Sequence, residues 1–177
     1  MNRQFLFNIH FYLSSFFTPF LLLIAVTGTF YLFGNKGSVK ETLVKSNVTI
    51  QKEQKKEQIK QVVKELNANY SYEYLKDRGS SIQTRPTTRE YFNFKKNADG
   101  TFNVYKAEPN FLLRLIEVHK GHGPKLLKYF QKVLGFALIF ITITGLLMSL
   151  KIKTRVKSFL ISMTAGGVIL FGMFFFL

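Results

Sequence analysis

The sequence predicts a membrane α-helical protein, with three transmembrane helices and a small extracytoplasmic α+β module between the first and the second. Three observations carry this reading. Charge is absent from three long stretches, Phe11–Phe33, Val133–Leu150 and Ser158–Leu177, and a bilayer crossing takes about 20 apolar residues. Lys151, Lys153, Arg155 and Lys157 separate the second stretch from the third with no acid among them. Every Asp and Glu lies between Gly34 and Lys132.

Composition narrows the function classes. The 177 residues suffice for one small domain or a few membrane helices. There are 25 Lys+Arg against 10 Asp+Glu, a formal charge of +15, yet 47% of the chain is hydrophobic and 20 residues are Phe. That combination does not fit a soluble nucleic-acid binder; the charge reads as a solvated basic face, with an anionic lipid surface or an acidic partner as the alternatives. With no Cys, disulfides, iron–sulfur clusters, thiolate zinc sites and thiol catalysis are excluded. Imidazole chemistry has only His10, His119 and His122 to draw on.

Taken in order, residues 1–34 form the first helix with its flanks. Its apolar run is too long for a signal peptide, and no Ala-x-Ala-like cleavage site precedes Gly34-Asn35, so a retained anchor is expected. The basic loop at 151–157 belongs in the cytoplasm by the positive-inside rule, and Arg3 agrees. The N-terminus is then inside, and residues 35–132 and the C-terminus are outside. In the outer module, residues 35–108, Gly34–Ser46 reads as a tether. A helix is expected from Thr49 onward with Thr49 as N-cap, its stripe formed by Ile59, Val62, Val63 and Leu66. Arg89–Lys95 and Thr101–Ala107 alternate as strands, with Phe92 and Phe94 matched to Phe102 and Val104 around an Asn97–Gly100 turn. A weaker strand lies at Ser81–Arg85, ended by Pro86. Residues 109–132 read as an amphipathic helix on the outer membrane interface, with Phe111, Leu112, Leu115, Ile116 and His119 on one face. Residues 133–177 hold the second and third spans.

Two segments in different spans are alike: Ile24-Ala25-Val26-Thr27-Gly28 and Ile141-Thr142-Ile143-Thr144-Gly145. Gly lets a backbone or a flat ligand approach a helix, and Thr returns its hydroxyl to its own helix or bonds across an interface. Plain helix packing explains either motif alone. His10 with Thr27-Gly28, then the segment LLRLIEVHKGHG from Leu112 to Gly123, then Leu134-Gly135 through Thr144-Gly145-Leu146 together resemble the PepSY-associated transmembrane family. The segment from about Thr49 to Ala107 resembles a PepSY module.

The resemblance implies a multi-pass protein of the bacterial inner membrane. Larger relatives are similar to iron-regulated, siderophore-linked reductases that pass electrons through the membrane on haem b. It implies a component of iron acquisition carrying electrons to ferric iron or ferric chelates, with His10, His119 and His122 as candidate cofactor-binding residues. The alternative is a non-catalytic accessory subunit that docks on a membrane transporter or respiratory complex. Its contact faces would be marked by Gly135, Gly145, Gly166, Gly167 and Gly172. His10 also reads as an interfacial imidazole bonded to a carbonyl or headgroup, and His119 as the polar edge of its helix.

Geometry restricts the haem reading. A haem held by one His on each face needs both at one depth, and the first span puts on the order of 35 Å between His10 and the outer boundary. His119 and His122, at i and i+3, share a face on a continuous helix and do not sandwich one haem. A haem site is therefore expected to be shared between copies of the chain in a homodimer, or with another subunit. A structural metal ion is not expected: Glu117, two residues from His119, faces elsewhere on a helix.

Overall fold

The computed structural model describes residues 2–51 and 53–176. Three helices are long and apolar enough to cross a membrane: α1 (Arg3–Leu32), α4 (Lys125–Leu150) and α5 (Val156–Phe176). Between α1 and α4 come β1 (Val39–Val48), α2 (Lys55–Leu66), β2 (Tyr74–Asp77), β3 (Ser81–Arg85), β4 (Tyr91–Lys96), β5 (Phe102–Pro109) and α3 (Phe111–His119). The chain divides into two compact units, one of residues up to Pro19 together with those from Lys132 onward, the other of Phe20–Gln131.

The second unit is built on a five-stranded antiparallel sheet in the order β1-β5-β4-β3-β2. Strand alternation turns Phe92 and Phe94 of β4, Phe102 and Val104 of β5 and Ile82 of β3 into one buried core. The α2 residues Ile59, Val62 and Val63 complete it. The register sets Phe94 opposite both Val104 and Ile82. Gly100 makes the β4–β5 turn at φ +88°, a backbone region that costs glycine nothing, and Asp99 accepts from the Thr101 N–H at 2.9 Å.

Two expectations are corrected here. Gly34–Ser46 is not only a tether, because Val39–Val48 pairs with β5 from Val39↔Pro109 to Val48↔Phe102. The strand was hidden because register shifts after Leu43 and Lys45 break its alternation, and none of its residues is fully buried. Thr49 is not an N-cap. β1 occupies the chain up to Val48, and α2 starts six residues beyond Thr49, after Gln54, whose side chain makes no capping bond. The short strand β2 was also not foreseen; with Lys76 and Asp77 in its four residues it presents no apolar period.

Residues 109–132 are not one helix. Gly121, at φ +71°, and Pro124 interrupt them, so α3 ends at His119 and α4 begins at Lys125, well before the apolar run at Val133. The new helix start is capped in trans: the Lys125 N–H donates to a Glu73 carboxylate oxygen at 2.8 Å, which suits the positive end of a helix.

In the first unit, Leu6 and Phe17 of α1 and Leu134, Ala137 and Thr144 of α4 are buried, while no described residue of α5 is. A helix with its apolar side chains turned outward all round is suited to lipid, and the protein is a multi-pass membrane protein.

Candidate functional site

The functional candidates begin with how α3 is fixed. Asn110 caps it, its side chain accepting from the Leu113 N–H at 2.8 Å and donating to Ser38 Oγ at 3.0 Å. Gly37 passes so close that a β-carbon there would stand 2.5 Å from Leu113 N, and its φ is +70°. Only glycine satisfies both conditions. With its start held, α3 delivers His119 at its last residue.

His119 Nδ1 lies 2.9 Å from Thr27 Oγ1. Thr27 is 1% exposed, and its hydroxyl also approaches the carbonyls of Leu23 at 2.7 Å and Ile24 at 3.2 Å. A carbonyl only accepts, so when the hydroxyl proton is given to the nearer Leu23 carbonyl, Oγ1 is left to accept from the ring. This assigns the proton of a neutral His119 to Nδ1 and leaves the lone pair on Nε2, which none of the described contacts reaches. Gly28 makes room for the ring: a β-carbon there would sit 3.2 Å from His119 Cε1. Thr27, Gly28, Tyr31, Ile116, His119 and Lys120 line a cavity of 190 Å³.

His10, in the other unit, is held in the same way. Its Nδ1 lies 3.0 Å from Thr144 Oγ1. The Thr144 hydroxyl reaches the carbonyls of Phe140 at 2.8 Å and Ile141 at 3.0 Å, so the same argument puts the proton on Nδ1 and the lone pair on Nε2. A β-carbon on Gly145 would stand 3.2 Å from His10 Cε1. Each Thr-Gly pair thus clasps one histidine: α4 holds His10 of α1, and α1 holds His119 of α3. Sequence reasoning isolated both Thr-Gly pairs and both histidines but did not join them crosswise.

His122 is held differently. The break after His119 takes it off any shared helix face, and its Nδ1 donates to Glu117 Oε2 at 2.7 Å. Glu117 faces away from His119, as helical spacing predicts, and meets His122 because the chain turns back: the His122 N–H bonds the Glu117 carbonyl at 2.9 Å. Glu117 Oε2 also accepts from Thr87 Oγ1 at 2.5 Å and from Arg85 Nη1 at 3.4 Å. Arg85 further donates to Thr87 Oγ1 at 2.7 Å. Burial raises the Glu117 carboxyl, but the Thr87 and His122 hydrogen bonds and the nearby positive charge outweigh it and hold the carboxyl below the usual range. Burial pushes His122 down, and Arg85 adds to this, against the opposing pull of Glu117. Arg85 and Thr87 drew no attention in the sequence; the signal available was a lone Arg-Pro-Thr ending an otherwise uncharged strand.

His119 and His122 therefore do not converge on one ligand. Among the described residues no group of three or more His, Asp or Glu side chains gathers as a metal site.

Comparison with known proteins gives one positive finding. The model of a family described as the PepSY-associated TM region matches residues 7–171. No curated protein and no solved structure matches the chain.

Proposed function

The chain belongs to the PepSY-associated TM family, and from that premise we propose that it is an inner-membrane component of bacterial iron acquisition, carrying electrons on haem b toward ferric iron or ferric chelates. The observation that carries this reading is the repeated clasp. An axial imidazole must have one nitrogen fixed as a donor and the other free as a base. His10 and His119 each have Nδ1–H bonded to a buried threonine and Nε2 unengaged. These residues fit the group, and His10 and His119 would hold it through Nε2. His122 is assigned no ligating role, because its ring belongs to the Glu117 cluster. When bound, haem supplies one-electron chemistry at its iron. The chain's part is to hold each imidazole in one tautomer and one orientation, with Gly28 and Gly145 letting the rings lie against their helices.

The N-terminus and the basic loop between α4 and α5 lie in the cytoplasm, and residues 35–132 and the C-terminus lie outside. His10 and Thr27 stand at different stations of α1 and in different units, so the two histidines would serve two separate haems. Each chain offers one imidazole per site, so a haem held by two histidines would take the second from the same residue of another copy, in a homodimer.

The test is a reduced-minus-oxidised visible spectrum of the full chain in mild detergent, with haem quantified per chain. Two haems per two chains and a bis-His spectrum are expected. H10A and H119A should each lose half the haem, and the double variant all of it, while all three remain inserted. A colourless protein from haem-replete cells overturns the proposal.

A second reading, a non-catalytic accessory subunit docking on a transporter or respiratory complex, has one observation in its favour. The described residues of α5 are all unburied, and β-carbons on Gly166, Gly167 and Gly172 would meet nothing within 4 Å. These leave backbone accessible on more than one side of α5, as a helix that packs against other helices requires. Under that reading, H10A and H119A leave activity unchanged, and a partner is retained through α5.

A further inference from the structure

Arg85 is the largest fully buried side chain in the molecule, 2% exposed, and it is short of acceptors. A guanidinium has five N–H donors. The described acceptors are Thr87 and Glu117 for Nη1 and Gln83 at 3.3 Å for Nη2, and Nε is buried with no partner at all. Such a donor asks for an explanation, because an unmade buried hydrogen bond costs about 1–3 kcal/mol.

Arg85 lines a cavity of 250 Å³ together with Arg78, Gln83, Tyr91, Lys120 and His122, among others. Charge in this lining is unbalanced. Arg78, Arg85 and Lys120 are positive, and the one acid, Glu117, already receives Thr87, His122 and Arg85 on one oxygen and Lys120 at 3.6 Å on the other. Arg78 forms no ion pair among the described residues, and its charge bears on Arg85. Two guanidiniums at one cavity, with one carboxylate between three permanent cations, favour an anion.

We propose that this cavity binds a carboxylate or phosphate group, which offers acceptors to the guanidinium end of Arg85 and the negative charge that Arg78 lacks. The site is independent of the haem reading, since neither His10 nor His119 lines it. Its ligand is either a small soluble anion or the phosphate of a lipid headgroup.

Inorganic phosphate and succinate are titrated by calorimetry into the full chain in a neutral detergent at pH 7. Thermal stability is compared in nanodiscs of phosphatidylcholine with and without phosphatidylglycerol. The expected result is saturable binding of phosphate or succinate for a soluble ligand, or stabilisation by phosphatidylglycerol alone for a headgroup. In either case R78Q should weaken the effect about tenfold, the order of one lost charge-assisted bond. Arg78 is exposed, so R78Q should keep the melting temperature of the anion-free protein, and any change in binding is then not a loss of fold. Failure of all three probes to bind, or equal binding by the wild type and R78Q, overturns the proposal.

Discussion

The two histidine clasps are made of the same parts and rest on different foundations. His10 and Thr144-Gly145 both ride on long apolar helices. His119 sits at the end of a nine-residue helix whose start depends on Gly37, Ser38 and Asn110, and only its partner, Thr27-Gly28, belongs to a candidate span. One clasp therefore stands or falls with the membrane helices, and the other also with the folding of the α/β module. Exposure differs in the same sense: the His10 ring is half-buried, whereas His119 is exposed and opens onto a cavity.

The sharpest way to separate them is G37V. The new side chain would have to occupy space 2.5 Å from the Leu113 nitrogen at a φ of +70°, a strain of about 3 kcal/mol or more. Protease sensitivity of the module should rise steeply and the His119 site should be lost, with the His10 site retained. Equal loss at both sites would show that the clasps are not independent. Next come T27V and T144V, which keep the shape of threonine and remove the acceptor of Nδ1–H. An unmet bond of this kind costs about 1–3 kcal/mol. Each variant should lower resistance to denaturant, and the ring resonances of its own histidine alone should shift and broaden in NMR spectra. N110A, which removes the α3 cap, should cost about 1 kcal/mol and affect the His119 site alone.

The smallest effect concerns pH. Both Glu117 and His122 are held below their ordinary values in the folded module. Their stabilising contribution is therefore complete above the unfolded-state values and lost as pH falls. The loss begins near pH 6.5 for His122 and in the ordinary carboxylate range, about 4.3, for Glu117. Thermal melts of the full chain should decline between pH 7 and 5, and H122Q should flatten that part of the curve while leaving the carboxylate part. A decline unchanged in H122Q would mean that the histidine is not its source.

Much of this architecture is legible in the chain. Long uncharged runs announce the spans because a bilayer tolerates nothing else, and the alternation of Phe92, Phe94, Phe102 and Val104 announces β4 and β5 because one face of each is buried. Strands β1 and β2 escape for the opposite reason: at the sheet margins nothing forces a period of two, and the shifts in β1 scramble what period remains. The clasps lie in between. The histidines and the Thr-Gly pairs are visible singly. An antiparallel arrangement of the first two spans would bring His10 level with Thr144 and His119 level with Thr27, so the crosswise pairing was within reach of topology. The Glu117 cluster was not, because it depends on the turn at Gly121 and on Pro86–Thr87 meeting the loop after α3.

The sheet's margins carry a consequence for assembly. β1 contributes Lys40, Glu41 and Lys45 to one edge, and β2 contributes Lys76 and Asp77 to the other. Charged edges, one of them distorted by irregular pairing, are how sheets resist annexing a neighbour's strand. Two such modules would gain little from zipping edge to edge, since each new strand pair would have to seat these charged side chains. If copies of this protein associate, strand addition across these margins is the route the module disfavours.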